Sequence, residues 1–125
     1  MIRLSSEQEA LGILNEPQNI KRIGLVSEHM KYQPWIAEDM ECKVMFVFWR
    51  IDSETIEVHI AVPRNSIIKS RELSKEIMKW IFNHGAKRIV TVCPKGKISN
   101  FVIKLGMTPY KTDGDNTYFE ALSCL

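Results

Sequence analysis

The spacing of apolar residues along this chain changes several times, and each change marks an element. From Cys42 to Ile51 the chain carries Val44-Met45-Phe46-Val47-Phe48-Trp49, apolar on both faces, which predicts a central strand. Asp52-Ser53-Glu54 reads as a tight turn into a second strand, Thr55–Val62, so the two form an antiparallel hairpin. Beyond Pro63 and a basic loop, Arg64–Ser70, the period lengthens. Leu73, Ile77, Trp80 and Ile81 fall at i, i+4, i+7 and i+8, one apolar stripe of a helix reaching about His84. Asn83-His84-Gly85 is a helix stop. Ile89, Val90, Val92 and Cys93 then mark a buried strand, Arg88–Cys93. It is predicted parallel to Thr55–Val62 because a helix joins them. A further helix runs from about Ile98 to Leu105, closed by Gly106. Met107–Lys111 and Thr117–Leu122 make a last hairpin around Asp113-Gly114-Asp115-Asn116.

The N-terminal third is patterned more weakly. Ser5-Ser6-Glu7-Gln8-Glu9 opens a helix with a capping box, pairing Ser5 with Gln8 or Ser6 with Glu9. Leu11, Ile13 and Leu14 give it an apolar face, and Asn15-Glu16-Pro17 ends it. Asn19–Val26 reads as a second helix interrupted by Gly24, and Tyr32–Ala37 as a short strand weakened by Pro34. The predicted order is two helices, three strands, helix, strand, helix and two strands. That is an α/β fold with a mixed, mostly antiparallel central sheet flanked by helices.

Composition narrows the classes. A length of 125 residues with 45% hydrophobic content suits a single domain spanning 1–125 with an ordinary core. Seventeen basic against fifteen acidic residues leave a net charge of +2, too mild to argue for nucleic acid. Cys42, Cys93 and Cys124 are odd in number and lack C-x-x-C spacing. They predict no disulfide framework and no zinc site, and they suit a reducing, cytoplasmic setting. His29 and His84 have no partners at ligand spacing, so no metal is expected. No apolar run approaches the roughly 18 residues of a membrane span, and the N-terminus lacks a signal core.

Three groups of residues carry candidate chemistry. A strand running through a loop into a helix start makes an anion site, because the first helical N–H groups are unpaired and the dipole is positive there. Arg64, Lys69 and Arg71 add full charges at that place, against the dipole's preference, and such local conflict points to a phosphate-bearing ligand. Lys95, Lys97 and Lys104 extend the basic patch. Glu57 and His59 share a strand face by the period of two, and a carboxylate beside an imidazole is a candidate general base. Set against this, two half-buried polar residues satisfied by neighbouring strands would look the same. Cys93 before Pro94 is a candidate thiolate, though a buried cysteine acting as a small hydrophobe is the commoner case. Trp35, Trp49 and Trp80 are expected in the core, with Trp35 the best candidate for an exposed contact.

The element order, together with Ile60-Ala61-Val62-x-Arg64, the Leu73–Trp80 helix, Lys104-Leu105-Gly106-Met107 and the aromatic hairpin of Tyr110, Tyr118 and Phe119, resembles the GNAT superfamily of acyl-CoA-dependent N-acyltransferases. The resemblance covers roughly Glu41 to the C-terminus. It implies acetyl-CoA or coenzyme A as cofactor and an amine, on a protein or a small molecule, as acceptor. Backbone groups of Ile60, Ala61 and Val62 would meet the pantetheine arm. Arg64, Ser66, Lys69, Ser70 and Arg71 would meet the phosphates, with the hydroxyls of Ser66 and Ser70 donating. Glu57 or His59 would deprotonate the amine.

The chain also departs from that pattern. Asn65-Ser66-Ile67-Ile68-Lys69-Ser70-Arg71 contains no glycine where the family's R/Q-x-x-G-x-G/A loop brings amides close to phosphate. Val102 stands where the family often has an acid tyrosine, and about Lys95 replaces an asparagine. A narrower resemblance fits those departures. Glu57-Val58-His59-Ile60-Ala61-Val62-Pro63, Ser70-Arg71-Glu72-Leu73 and Trp80-Ile81-Phe82 look like compact GNAT-like proteins of tailed bacteriophages, including head-assembly proteins encoded beside DNA-ejection genes. That likeness implies an alternative: a binding or assembly factor with a phage or host protein partner, virion-associated or in the host cytoplasm, its chemistry lost.

Overall fold

The computed structural model describes residues 1–16, 32–40, 42–61, 67–94 and 96–123. The expected helix Asn19–Val26 lies outside them, as do Val62, Arg64, Ser66 and Lys95. Described in chain order are β1 (Ile2–Leu4), α1 (Glu7–Leu14), β2 (Trp35–Glu38), β3 (Lys43–Arg50) and β4 (Thr55–Ala61). There follow α2 (Ile67–Asn83), β5 (Arg88–Pro94), α3 (Lys97–Lys104), β6 (Thr108–Asp113) and β7 (Asn116–Leu122).

The strands form one seven-stranded sheet in the order β1-β2-β3-β4-β5-β7-β6. Neighbours are antiparallel except β4 and β5, which are parallel as the intervening helix requires. The fold class read from the sequence is the one observed. β1 is an addition. Three residues carry no readable period, and the strand exists because Ile2, Arg3 and Leu4 find Ala37, Ile36 and Trp35 across β2.

Alternation sorts the two faces. On one, Val44, Phe46, Ile56 and Val58 pack under α2 through Leu73, Ile77, Met78 and Ile81, joined by Val102, Leu105 and Phe119. The periodicity of α2 sets this: its stripe meets the sheet while Glu72, Lys75 and Glu76 stay exposed. On the other face Ile36, Met45, Val47 and Ala61 pack against Ala10 and Leu14 of α1.

Ser6 caps α1, its Oγ accepting from the Glu9 N–H at 3.1 Å. The box is half formed, because the Glu9 carboxylate reaches Arg3 instead, at 2.9 Å. Gly106 has φ +93, a conformation that lets the chain turn out of α3 into β6. Gly114 has φ +61 while Asp115 stays negative, which fits a type II′ hairpin between Asp113 and Asn116. The outer edge, β6, is exposed throughout and carries Pro109 beside a register shift, features that discourage edge-to-edge pairing. Among the described residues, no helix is long and apolar enough to cross a membrane.

α2 begins at Ile67, so Lys69 and Ser70, expected in the basic loop Arg64–Ser70, are helical. Trp35 is likewise not an exposed contact. Its ring lies 5.0 Å from Trp80 and 6.2 Å from Phe48, centroid to centroid, inside an aromatic cluster that includes Phe46.

Candidate functional site

β4 and β5 pair over three positions, Thr55↔Arg88, Ile56↔Ile89 and Glu57↔Val90. β4 nevertheless continues to Ala61 and β5 to Pro94. β4 stays paired on its other side, with Ala61 opposite Met45, and β5 stays paired with β7 as far as Pro94↔Asn116. Past Glu57 the two central strands therefore each hold their outer partner and part from one another. The sheet opens as a V whose apex is Glu57. By alternation from Thr55, whose carbonyl meets Ile51, Ala61 bonds toward β3 and Ile60 toward β5; the Ile60 backbone groups have no strand to meet there and become available to an extended ligand.

Glu57 and His59 stand at this apex on one face. Nε2 of His59 lies 2.8 Å from Oε2 of Glu57, and both side chains are half-buried. An ionised carboxylate only accepts, so Nε2 carries the hydrogen and donates it. The period-two reading of Glu57-Val58-His59 thus corresponds to a formed hydrogen bond. Across the hairpin Trp49 faces Glu57 and Val47 faces His59, which puts the pair on the α1 face.

The start of α2 stands at the same open end, on the opposite face. Among the described residues, Arg71 Nε is a buried side-chain nitrogen with no hydrogen-bond partner. A buried unmatched donor costs about 1–3 kcal/mol until something accepts from it. Lys69, half-buried, is two residues nearer the helix start. Ser70 departs from expectation. The register of α2 turns it inward, fully buried, with its Oγ 3.6 Å from Cys42 Sγ and its carbonyl accepting from Ser74 Oγ at 2.7 Å. Its hydroxyl faces the core rather than a phosphate.

Two other candidates are buried. Cys93 is buried and its thiol is pushed up by that burial, so it is a poor thiolate. Val102, at the position of the acid tyrosine, is a core residue. Among the described residues, no group of three or more His, Cys, Asp or Glu residues is arranged to hold a metal ion.

Trp49 was expected to fill the core and nothing more. Its indole instead lies against the His59 ring, centroids 5.1 Å apart and planes 17° from parallel. The signal was present in the hairpin: counting outward from Asp52-Ser53-Glu54 sets Trp49 opposite Glu57.

The sequence matches no family model and no curated relative. Solved structures resemble the fold across nearly its whole length. A domain from Methanocaldococcus jannaschii aligns with a TM-score of 0.75 at 13% identity, covering 98% of this chain and 97% of that one. A Bacillus subtilis acetyltransferase in complex with CoA gives 0.71 at 16%, with 98% and 97% covered. The Campylobacter jejuni N-acetyltransferase PseH in complex with acetyl coenzyme A gives 0.69 at 17%, with 98% and 99% covered. At these identities the likeness is one of fold, and the fold is the GNAT-like one.

Proposed function

We propose that this chain is an acyl-CoA-dependent N-acetyltransferase acting on an amine. The observation that carries the reading is the V itself. Its apex holds the Glu57–His59 hydrogen bond on the α1 face, and Arg71, with its unmatched Nε, stands at the same end on the α2 face. A thioester lying in the V would be reached from one face while its phosphates were held on the other. Two solved proteins of this fold hold CoA or acetyl coenzyme A.

In this reading, backbone groups of Ile60 and Val62 would hold the pantetheine arm. Lys69 and Arg71, with Arg64 and the Ser66 hydroxyl, would hold the phosphates, and Ser70 would contribute through its place in the first turns of α2 rather than through its hydroxyl. Bound acetyl-CoA supplies an activated acyl group. Glu57 or His59 would take the amine proton, directly or through a water, as the amine attacked the thioester carbon. A backbone N–H near Val62 would stabilise the oxyanion. The departing group would be the coenzyme A thiolate, and Val102 could not protonate it. The acceptor is an amine on a small molecule or a protein. The whole chain, residues 1–125, would work as one domain, in the cytoplasm of its cell.

A second reading has its own support. A glycine-free stretch at 65–71 and the apolar Val102 fit a GNAT-fold binding or assembly factor of the phage type, with the basic start of α2 against a phage or host protein. Titration with acetyl-CoA, followed by thermal unfolding, separates the two. At one hundred times the dissociation constant the ligand adds about 2.7 kcal/mol, a shift of several degrees. A saturable shift is the expected result. No shift at millimolar acetyl-CoA would overturn the acetyltransferase reading.

A further inference from the structure

Three aromatic rings stand in a row on the α1 face. Tyr32 stacks on Trp49 with centroids 4.5 Å apart and planes 19° from parallel. Trp49 in turn stacks on His59 at 5.1 Å and 17°. The row ends in the hydrogen bond from His59 Nε2 to Glu57, 2.8 Å long. The indole is thus engaged by two rings of the chain itself.

What the indole does is fix a plane. The χ2 torsion of histidine is broad, and the backbone of β4 alone does not choose the ring's tilt. Glu57 and His59 are two residues apart on one strand, so their hydrogen bond forms over a narrow range of tilts. Trp49 lies directly across the ladder from Glu57 and diagonally from His59, in reach of both. Trp49 packs with the Met45, Val47 and Ala61 cluster, which holds it in turn.

We propose that Trp49 is a positioning residue for the Glu57–His59 pair, holding the imidazole in the plane from which Nε2–H meets the carboxylate, with Tyr32 backing the indole. Its catalytic consequence rests on the acetyltransferase reading; its structural content does not.

The test is nuclear magnetic resonance of the full chain with 15N-labelled histidine, on the wild type, Trp49→Leu, Trp49→Phe and Tyr32→Leu. The wild type is expected to show a downfield His59 Nε2–H resonance protected from water, and upfield-shifted ring protons from the indole. Trp49→Leu should lose the protected N–H, and Trp49→Phe should keep it. Tyr32→Leu, which leaves the β3 core untouched, should weaken the protection; it keeps the proposal testable if Trp49→Leu fails to fold. An undiminished N–H resonance in folded Trp49→Leu, or in Tyr32→Leu when Trp49→Leu is unfolded, would overturn the proposal. With acetyl-CoA and an accepted amine, Trp49→Leu should lower kcat about tenfold or more while KM for acetyl-CoA holds, with recovery in Trp49→Phe. If the resonance responds as expected but no amine is acetylated by the wild type, the positioning role stands and the acetyltransferase reading fails.

Discussion

The two ends of β4 are built differently. At the closed end, where the chain enters from the hairpin, backbone groups meet backbone groups. Ile51 N–H donates to Thr55 C=O at 2.9 Å, and the Glu54 carbonyl accepts from Lys87 and Arg88 N–H at 2.9 and 3.0 Å. Asp52 Oδ1 accepts from the amides of Glu54 and Thr55, each at 2.8 Å, closing the turn. The β4–β5 ladder follows at once. At the open end that ladder is missing. Arg3, Glu9, Glu38 and Lys43 instead tie β1, α1, β2 and β3 together by side-chain charge, with contacts of 2.7 to 3.1 Å. One end is stabilised mainly by backbone bonds, which do not titrate, with the Asp52 carboxylate closing the turn. The other gives up backbone pairing, and in the gap stand the groups that read as chemistry.

If that division holds, substitutions at the open end change activity and those at the closed end or the core change stability. The largest effect belongs to Glu57→Gln. It keeps the shape and removes the charge that accepts from His59, so acetyl transfer should fall about 10²–10⁴-fold while the acetyl-CoA affinity holds. Ile77→Ala is the contrasting case. The side chain is fully buried between α2 and the sheet, and its loss should cost about 2–5 kcal/mol in chemical denaturation. Equal losses of stability from the two variants would erase the distinction.

Arg71 refines it. Replacing Arg71 with Met keeps the aliphatic packing and removes a donor that has no partner to lose. The dissociation constant for coenzyme A should rise by about 10–100-fold, the worth of a charged hydrogen bond of about 1.5–3 kcal/mol. The melting temperature without ligand should not fall. A large drop in melting temperature would mean that Arg71 serves the fold rather than a phosphate.

Sequence reading captured the strands and helices with strong periods and missed what depends on partners distant in the chain. The β3 run Val44–Trp49, the α2 stripe and the parallel β5 were legible because burial imposes a period on the residues themselves. Glu57 and His59 were legible as a pair because two residues on one strand share a face whatever else the fold does. β1 was not, since Ile2-Arg3-Leu4 becomes a strand only beside β2. Ser70 was misjudged for a related reason. The start of α2 was placed four residues late, beyond the one or two residues by which helix ends fray, and the earlier start puts Ser70 in the helix, facing the core. The opening of the sheet was not legible, because nothing in the composition of β4 or β5 marks where their ladder stops.

The smallest effect tests the charges that fasten the open end. The hydrogen bond from Arg3, with a lesser contribution from Lys43, pulls the Glu9 carboxyl down to about 2 from its ordinary 4.5, against the opposing pull of burial. Glu38 moves the same way, again through Arg3. Arg3 itself is shifted upward and stays charged throughout, so the carboxylates are what titrate. A carboxyl with a lowered folded-state value stabilises the fold fully above its unfolded value, and that stabilisation drains away as pH falls from about 4.5 to about 2. Because the network is partly exposed, solvent screening limits the gain at Glu9 to about 1 kcal/mol. The Asp52 carboxyl at the closed end is held down too, first by the Glu54 amide and then by Thr55, so its turn weakens in the same direction as pH falls. Denaturation midpoints measured between pH 6 and pH 2 should therefore fall more for the wild type than for Arg3→Met, the two curves converging at the acid end. Amide protection, corrected for intrinsic exchange, should weaken first in β1 and α1 while β5 and β7 hold. Parallel curves for the two proteins would show that these ion pairs contribute nothing to the open end, and α1 packing on Met45 and Val47 would then be what holds it.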